Sequence, residues 1–330
     1  MLRLPWFEHR APRSVAEAAQ ILAGEGTRAM LVAGGTDLLP NMKRRHQAPQ
    51  VLVSLRQVGE LRKLNGTFGA GLTLSEIVRS EKTPTALRQA AAQVATPHLR
   101  NMGTLGGNLC LDTRCTYYNQ TYEWRKAIDF CLKKDGKICW VATASKRCVA
   151  VSSTDTAPAL IALNAAVTLV STRGEREIPV AALYQNDGID YLSRTPDEIL
   201  TEVRIPSGWK STYWKLRRRG SFDFPILGVA AALKFDGETV SEARIALGAV
   251  ASRPFLVEKA GDFLVGKKLT DEMIVQAAEL AANRAKPMDN TDMDLYWRKE
   301  VADDFAGYAL RELRGDDMRE TRLRIARQLV

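Results

Sequence analysis

The sequence predicts an α+β chain in three successive parts. These are a small α/β unit over residues 1–57, a second α/β unit over 58–215, and an antiparallel sheet with helices over 216–330. Three observations lead there. Near the start, short apolar runs alternate with a helical pattern, as in a βαβ unit. An alternating pattern turns about Asp236-Gly237, the signature of a β-hairpin. Three helical stretches then close the chain, and 330 residues suffice for two or three separate cores.

In order, Ser14-Val15-Ala16-Glu17 reads as a capping box, with Val15, Ala18, Ala19 and Leu22 on one helical face and Gly24 as the stop. Residues 29–33 and 51–55 read as buried strands. Residues 68–72 read as another strand, followed by a short helix over 75–78. Thr83-Pro84 starts a helix through Val94, with Pro97 beyond its end. Asp155 or Thr156 caps a helix carrying Pro158 in its first turn, and Asn164 is a left-handed stop. Residues 166–170 and 177–180 form a hairpin about Arg173-Gly174. The alternation over 199–205 marks a half-buried strand, and 213–219 continues its sheet. Residues 227–235 and 243–250 pair about Asp236-Gly237. Helices are expected over 254–264, 271–284 and 293–313, the last with a core stripe of Trp297, Val301, Phe305 and Tyr308.

The composition, 45% hydrophobic and 26% charged, is that of a globular protein, and no apolar run is long enough to span a bilayer. The opening residues lack a signal-peptide pattern, so a reducing cytoplasm is expected. A net charge of +9 suits nucleic acid, an acidic partner or an anionic cofactor. The densest basic clusters, at 43–46 and 215–219, lack the interleaved aromatics of a single-strand binding surface, so nucleic acid is not expected. Only His9, His46 and His98 are present, too few for a histidine-rich metal centre.

Two glycine pairs stand out. Leu31-Val32-Ala33-Gly34-Gly35-Thr36-Asp37-Leu38 follows an apolar run, and Thr104-Leu105-Gly106-Gly107-Asn108 precedes a segment without clear period. Without a Cβ, such turns let backbone N–H groups approach a diphosphate. Two tight structural turns would leave the same trace, and neither pair is a G-x-G-x-x-G fingerprint. All five cysteines, Cys110, Cys115, Cys131, Cys139 and Cys148, fall in the stretch that follows. Buried thiols scattered by chance do not concentrate this way, and disulfides require an oxidising compartment. Zinc and an iron–sulfur cluster both accept four thiolates, and the wide spacing does not separate them.

The two glycine motifs, followed by Asp155-Thr156-Ala157-Pro158-Ala159-Leu160, Asp197-Glu198-Ile199-Leu200 and Arg217-Arg218-Arg219 with Asp223-Phe224, resemble the flavoproteins of the molybdenum hydroxylase family. The resemblance covers nearly the whole chain. It implies a two-part FAD-binding α/β domain of the xanthine dehydrogenase and carbon monoxide dehydrogenase type, with a C-terminal sheet-plus-helices domain. It places Val32, Ala33, Gly34, Gly35, Thr36, Asp37 and Leu38, with Thr104, Leu105, Gly106, Gly107 and Asn108, on the FAD diphosphate and ribityl chain. Asp155 would meet the ribityl or ring edge, and Leu200 and Lys215 would lie beside the isoalloxazine. The chain departs from the family in an insertion over residues 109–151. That insertion is similar to the one in 4-hydroxybenzoyl-CoA reductases, which implies a 4Fe–4S cluster on Cys115, Cys131, Cys139 and Cys148, with Cys110 left out. The same resemblance implies partner subunits carrying a molybdenum cofactor and 2Fe–2S clusters, ferredoxin as electron donor, and no substrate-transforming residue on this chain. Two other readings stand beside it: a stand-alone flavin oxidoreductase with a zinc-stapled loop, and a basic nucleic-acid-binding zinc protein.

Overall fold

The computed structural model describes residues 3–327. The first unit is a three-stranded parallel sheet in the order β1–β3–β2, built from β1 (Glu8–Arg10), β2 (Ala29–Val32) and β3 (Val51–Ser54). Helix α1 (Val15–Glu25) crosses between β1 and β2, and α2 (Leu38–Lys43) between β2 and β3. Ser14 caps α1 by accepting the Glu17 N–H, but Glu17 reaches back to the Arg13 N–H rather than to Ser14, so the capping box is only half made. The helix also runs past Gly24 and ends at Gly26, whose positive φ of 55° suits glycine. Ala18, Ala19 and Leu22 pack onto Val51, Val53 and Ile199, tying the first unit to the next.

The second unit follows through β4 (Phe68–Gly69), α3 (Leu74–Arg79), α4 (Thr85–Ala92), α5 (Pro97–Arg100), α6 (Leu105–Leu109), α7 (Tyr122–Ala127) and α8 (Thr156–Ala162). It is completed by β5 (Ala166–Ser171), β6 (Gly174–Pro179) and β7 (Ile199–Arg204), giving an antiparallel sheet in the order β4–β7–β5–β6. Only Phe68 and Gly69 of the expected 68–72 strand join the ladder; Leu72 instead accepts from the Leu105 N–H. Pro97 lies beyond the end of α4, as expected, and also opens α5 at its first turn, with Thr96 as cap. Asn164 is left-handed, with φ of 55°.

The third unit holds β8 (Lys210–Leu216), β9 (Leu227–Asp236), β10 (Thr239–Gly248) and β11 (Phe255–Leu256), antiparallel in the order β11–β10–β9–β8. Strand β8 pairs with β9, so the stretch near Tyr213 belongs to this sheet and does not extend the β7 sheet as its alternation implied. Helices α9 (Glu258–Leu264), α10 (Asp271–Ala282), α11 (Leu295–Arg314) and α12 (Arg319–Ala326) complete it. In β9, Val229, Ala231 and Leu233 face these helices while Ala230 and Ala232 enter the core of the second unit. A strand buried on both faces reads as an unbroken apolar run, which is how this one reads.

Candidate cofactor sites

A cavity of about 810 Å³ opens where the first unit meets the second. That volume lies within the range of small-molecule sites. Both glycine turns line it, together with Asp155, Leu200, Tyr191 and Phe224. The first turn runs from the end of β2 into α2, the place where parallel α/β units present ligands. Its N–H groups at Gly34, Gly35, Thr36 and Asp37 donate to no acceptor among the described residues. Four adjacent N–H groups lacking a protein partner form an anion cradle.

The second turn is built differently. The Gly106 N–H is taken by the Ala70 carbonyl at 2.9 Å, and the Gly107 N–H by the Thr104 hydroxyl at 3.0 Å. It therefore contributes shape more than donors, which revises the expectation that both turns supply N–H groups to a diphosphate. Asn108 Oδ1 accepts from the hydroxyls of Thr154 and Thr156 and from the Thr156 N–H, tying this turn to the start of α8. The first turn packs against the backbone that leads into the second: a Cβ on Gly34 would stand 2.0 Å from the Met102 carbonyl oxygen. Leu105 does not face the cavity; it is fully buried in the second core.

Asp155, one of the two residues expected to cap α8, occupies the cap position, but its carboxylate makes no capping bond. It accepts instead from Tyr213 at 2.8 Å and from Lys215 at 2.9 Å, both on β8. Lys215 does not line the cavity, and its remaining donors go to the carbonyls of Gln93 and Asp223, each at 3.0 Å. A lysine so engaged holds Asp155 in place and has no proton left for a flavin ring. Burial raises the Asp155 carboxyl and lowers the Lys215 ammonium, while their attraction opposes both shifts. Replacing Lys215 with Met strands the carboxylate. Chemical denaturation is expected to show a loss of about 3 kcal/mol, part of which returns in the Asp155→Asn, Lys215→Met double variant.

Sequence reasoning missed Arg114. Its guanidinium is buried, pairs with Asp37 of the first turn, donates to Asn41 at 3.1 Å and lies 4.8 Å from the centre of the Phe224 ring. No local pattern marks it, because its partners lie far away in sequence. Arg114 directly precedes Cys115, so the cradle and the cysteine segment share one backbone stretch.

In that segment Cys115, Cys131, Cys139 and Cys148 are all buried. Cys115 and Cys148 pack together with Tyr118 and Ala150. Burial pushes the Cys115 thiol up to about 12, with Cys148 and Cys131 adding to the rise. It pushes Cys148 up to about 11, with Cys139 and Cys131 adding and Lys133 opposing. Cys110 lies apart, on the cavity wall, with Arg194 as its charged neighbour. Among the described residues no group of three or more His, Cys, Asp or Glu side chains is placed to hold a metal ion, so the structure does not show the expected metal site on Cys115, Cys131, Cys139 and Cys148.

The segment docks on the first unit through His46, whose ring stacks on Tyr118 with centroids 4.1 Å apart. Burial, helped by Arg125, lowers His46 to about 4. An unfolded histidine titrates near pH 6.5, so the unfolded chain binds the extra proton first as pH falls. Stability is expected to drop between about pH 6.5 and 4 by up to roughly 3 kcal/mol from this group. His46→Gln should flatten that acid limb in urea melts taken across the range.

A family model for the FAD-binding domain in molybdopterin dehydrogenase matches residues 6–208, and one for the carbon monoxide dehydrogenase flavoprotein C-terminal domain matches 211–313. The chain belongs to the molybdopterin dehydrogenase FAD-binding family. It is 28% identical over 318 residues to the carbon monoxide dehydrogenase medium chain of Hydrogenophaga pseudoflava, covering 93% of this chain and 96% of the relative. The aldehyde oxidoreductase FAD-binding subunit of Escherichia coli is 32% identical over 269 residues, or 76% of this chain and 82% of the relative. Among solved structures, carbon monoxide dehydrogenase from Hydrogenophaga pseudoflava superposes with a TM-score of 0.75 at 27% identity, covering 94% of this chain and 97% of that one. As a member of this family the chain is an FAD-binding oxidoreductase subunit. The cradle fits that cofactor: the free N–H groups suit a diphosphate, and Leu200 offers an apolar wall for a ring. No helix of the described residues is long and apolar enough to cross a membrane.

Proposed function

We propose that this chain is the electron-transfer subunit of a cytoplasmic molybdenum enzyme of the 4-hydroxybenzoyl-CoA reductase type, carrying FAD and one 4Fe–4S cluster. In this reading a partner subunit with the molybdenum cofactor removes the phenolic hydroxyl of 4-hydroxybenzoyl-CoA, a second partner carries 2Fe–2S clusters, and ferredoxin supplies electrons. The observation that supports the reading is that Cys115, Cys131, Cys139 and Cys148 are all buried within one segment, Cys115 and Cys148 packed together, with Cys110 apart on the cavity wall. Four thiolates complete the ligand set of one cubane.

When bound, FAD exchanges electrons singly or in pairs and so links one-electron centres to two-electron chemistry. The chain's own work is positional. Residues 34–37 hold the diphosphate, Asp155 is fixed by Tyr213 and Lys215 at the cavity wall, and Arg114 ties the cradle to the segment that bears the thiols. Buried Lys133 places a positive charge near the Cys148 thiol.

Anaerobic purification with iron, sulfide, zinc and flavin analysis tests this reading. The expected result is about four irons and one FAD per chain, with molybdenum-bearing partners in native preparations. Zinc in place of iron favours a zinc-stapled flavoprotein instead. A preparation that turns over an organic substrate as this single polypeptide overturns the relay.

A further inference from the structure

We propose that Lys133 is a positioning residue that fastens the strap 185–192 over the flavin, so that the cysteine segment sets how open the flavin cavity is. The inner side of this strap, Ile189, Asp190, Tyr191 and Leu192, forms cavity wall. Its outer side lies on the cysteine segment. The Gly188 N–H donates to the Cys148 carbonyl at 2.9 Å, and Arg147 donates to the Asn186 carbonyl. The contact is so close that a Cβ on Gly188 would meet Cys148 Sγ at 2.6 Å and Ala150 Cβ at 2.8 Å.

Lys133 closes this arrangement. Its side chain is 6% exposed and lies within the insertion, two residues after Cys131. Its ammonium donates to the Gly188 carbonyl at 2.6 Å, to Asp112 at 2.8 Å and to the Thr113 hydroxyl at 2.7 Å, and Thr113 in turn donates to the same Gly188 carbonyl. It also lies 5.5 Å from the centre of the Tyr191 ring and 4.7 Å from that of Tyr118. Asp112, like Tyr191, lines the cavity. One buried cation therefore joins a cysteine turn, the strap's backbone and two parts of the flavin wall. Charge-assisted bonds of this kind are the strong ones, and leaving the Gly188 carbonyl with one partner fewer loosens the strap.

The fastening by Lys133 rests on the FAD reading of the cavity and does not require the proposed cluster. The test uses the flavin-loaded protein and its Lys133→Met variant. Readouts are metal and flavin content, hydrogen exchange of the 185–192 backbone, the visible circular dichroism of the bound flavin, and iodide quenching of its fluorescence. The variant is expected to keep its FAD while protection over 185–192 falls about tenfold, quenching rises and the dichroism changes. Gly188→Ala, which presses the strap off Cys148, should give the same direction of change with Lys133 intact. Unchanged exchange and quenching in both variants overturn the proposal. Iron in the unaltered protein is scored separately: its absence removes the cluster reading, whereas an unmoved strap in an iron-loaded protein removes this one.

Discussion

Gly34→Ala is expected to abolish stable FAD binding. The added Cβ would stand 2.0 Å from the Met102 carbonyl oxygen, 2.6 Å from its carbon and 2.9 Å from Gly103 Cα, all of them backbone atoms. No side chain can swing away to make room, so the two turns must separate. The N–H groups of residues 34–37 then leave the positions from which they meet a diphosphate. Losing two charge-assisted bonds of that kind weakens binding by about a hundredfold or more. Gly35→Ala is the informative contrast. Its Cβ meets only side chains, Leu39 at 3.1 Å and Val32 at 3.5 Å, but its φ of 68° makes any side chain costly by about 1–2 kcal/mol. It should weaken FAD less than Gly34→Ala does. The check is the flavin-to-protein ratio after gel filtration, followed by FAD titration of each apoprotein. Full occupancy and unchanged affinity in Gly34→Ala would remove the cradle from residues 34–37.

The second large effect is expected at the cysteines. Cys→Ala at position 115, 131, 139 or 148 should each remove or degrade the metal centre, whereas Cys110→Ala should retain it. Burial holds the Cys115 and Cys148 thiols neutral at ordinary pH, so only a bound cation with the help of Lys133 makes it favourable to ionise them together. Once three thiolates remain, the centre loses both a ligand and a side of its enclosure. Outside α7 the segment has few regular elements of its own, so its order depends on these shared contacts. Proteolysis within 116–147 should therefore quicken in the four variants while FAD remains on the separate cradle. Anaerobic iron and sulfide content with low-temperature EPR of the reduced protein decides it. Iron lost only in Cys110→Ala would show that the ligand set has been misassigned.

Local features were readable wherever a residue's neighbours in sequence are also its neighbours in space. The strand-to-glycine turn at 31–38, the Ser14 cap, the left-handed Asn164 and the Asp236-Gly237 hairpin are of this kind. The extent of strands was less readable. Only Phe68 and Gly69 of the expected 68–72 strand pair, because the following backbone is drawn to the second glycine turn through the Ala70 and Leu72 carbonyls. The true capping box, Thr73 with Glu76, lies just beyond and passed unnoticed in a stretch with little helical length.

By itself the sequence determined that two glycine turns flank a chain rich in α/β signals, and that every cysteine lies in one window. Composition and spacing along the chain suffice for that. Only the tertiary structure decided that the first turn keeps its N–H groups free of partners among the described residues while the second uses its own, that Lys215 serves Asp155 and does not reach the cavity, and that Arg114 and Lys133 bind the cysteine segment to the cavity wall. These are pairings between groups 20 to 80 positions apart, such as Lys133 with Asp112, Lys215 with Asp155, and Arg114 with Asp37. A buried charge must find its partner wherever the fold brings one, and neither periodicity nor local propensity carries a record of which residue that will be.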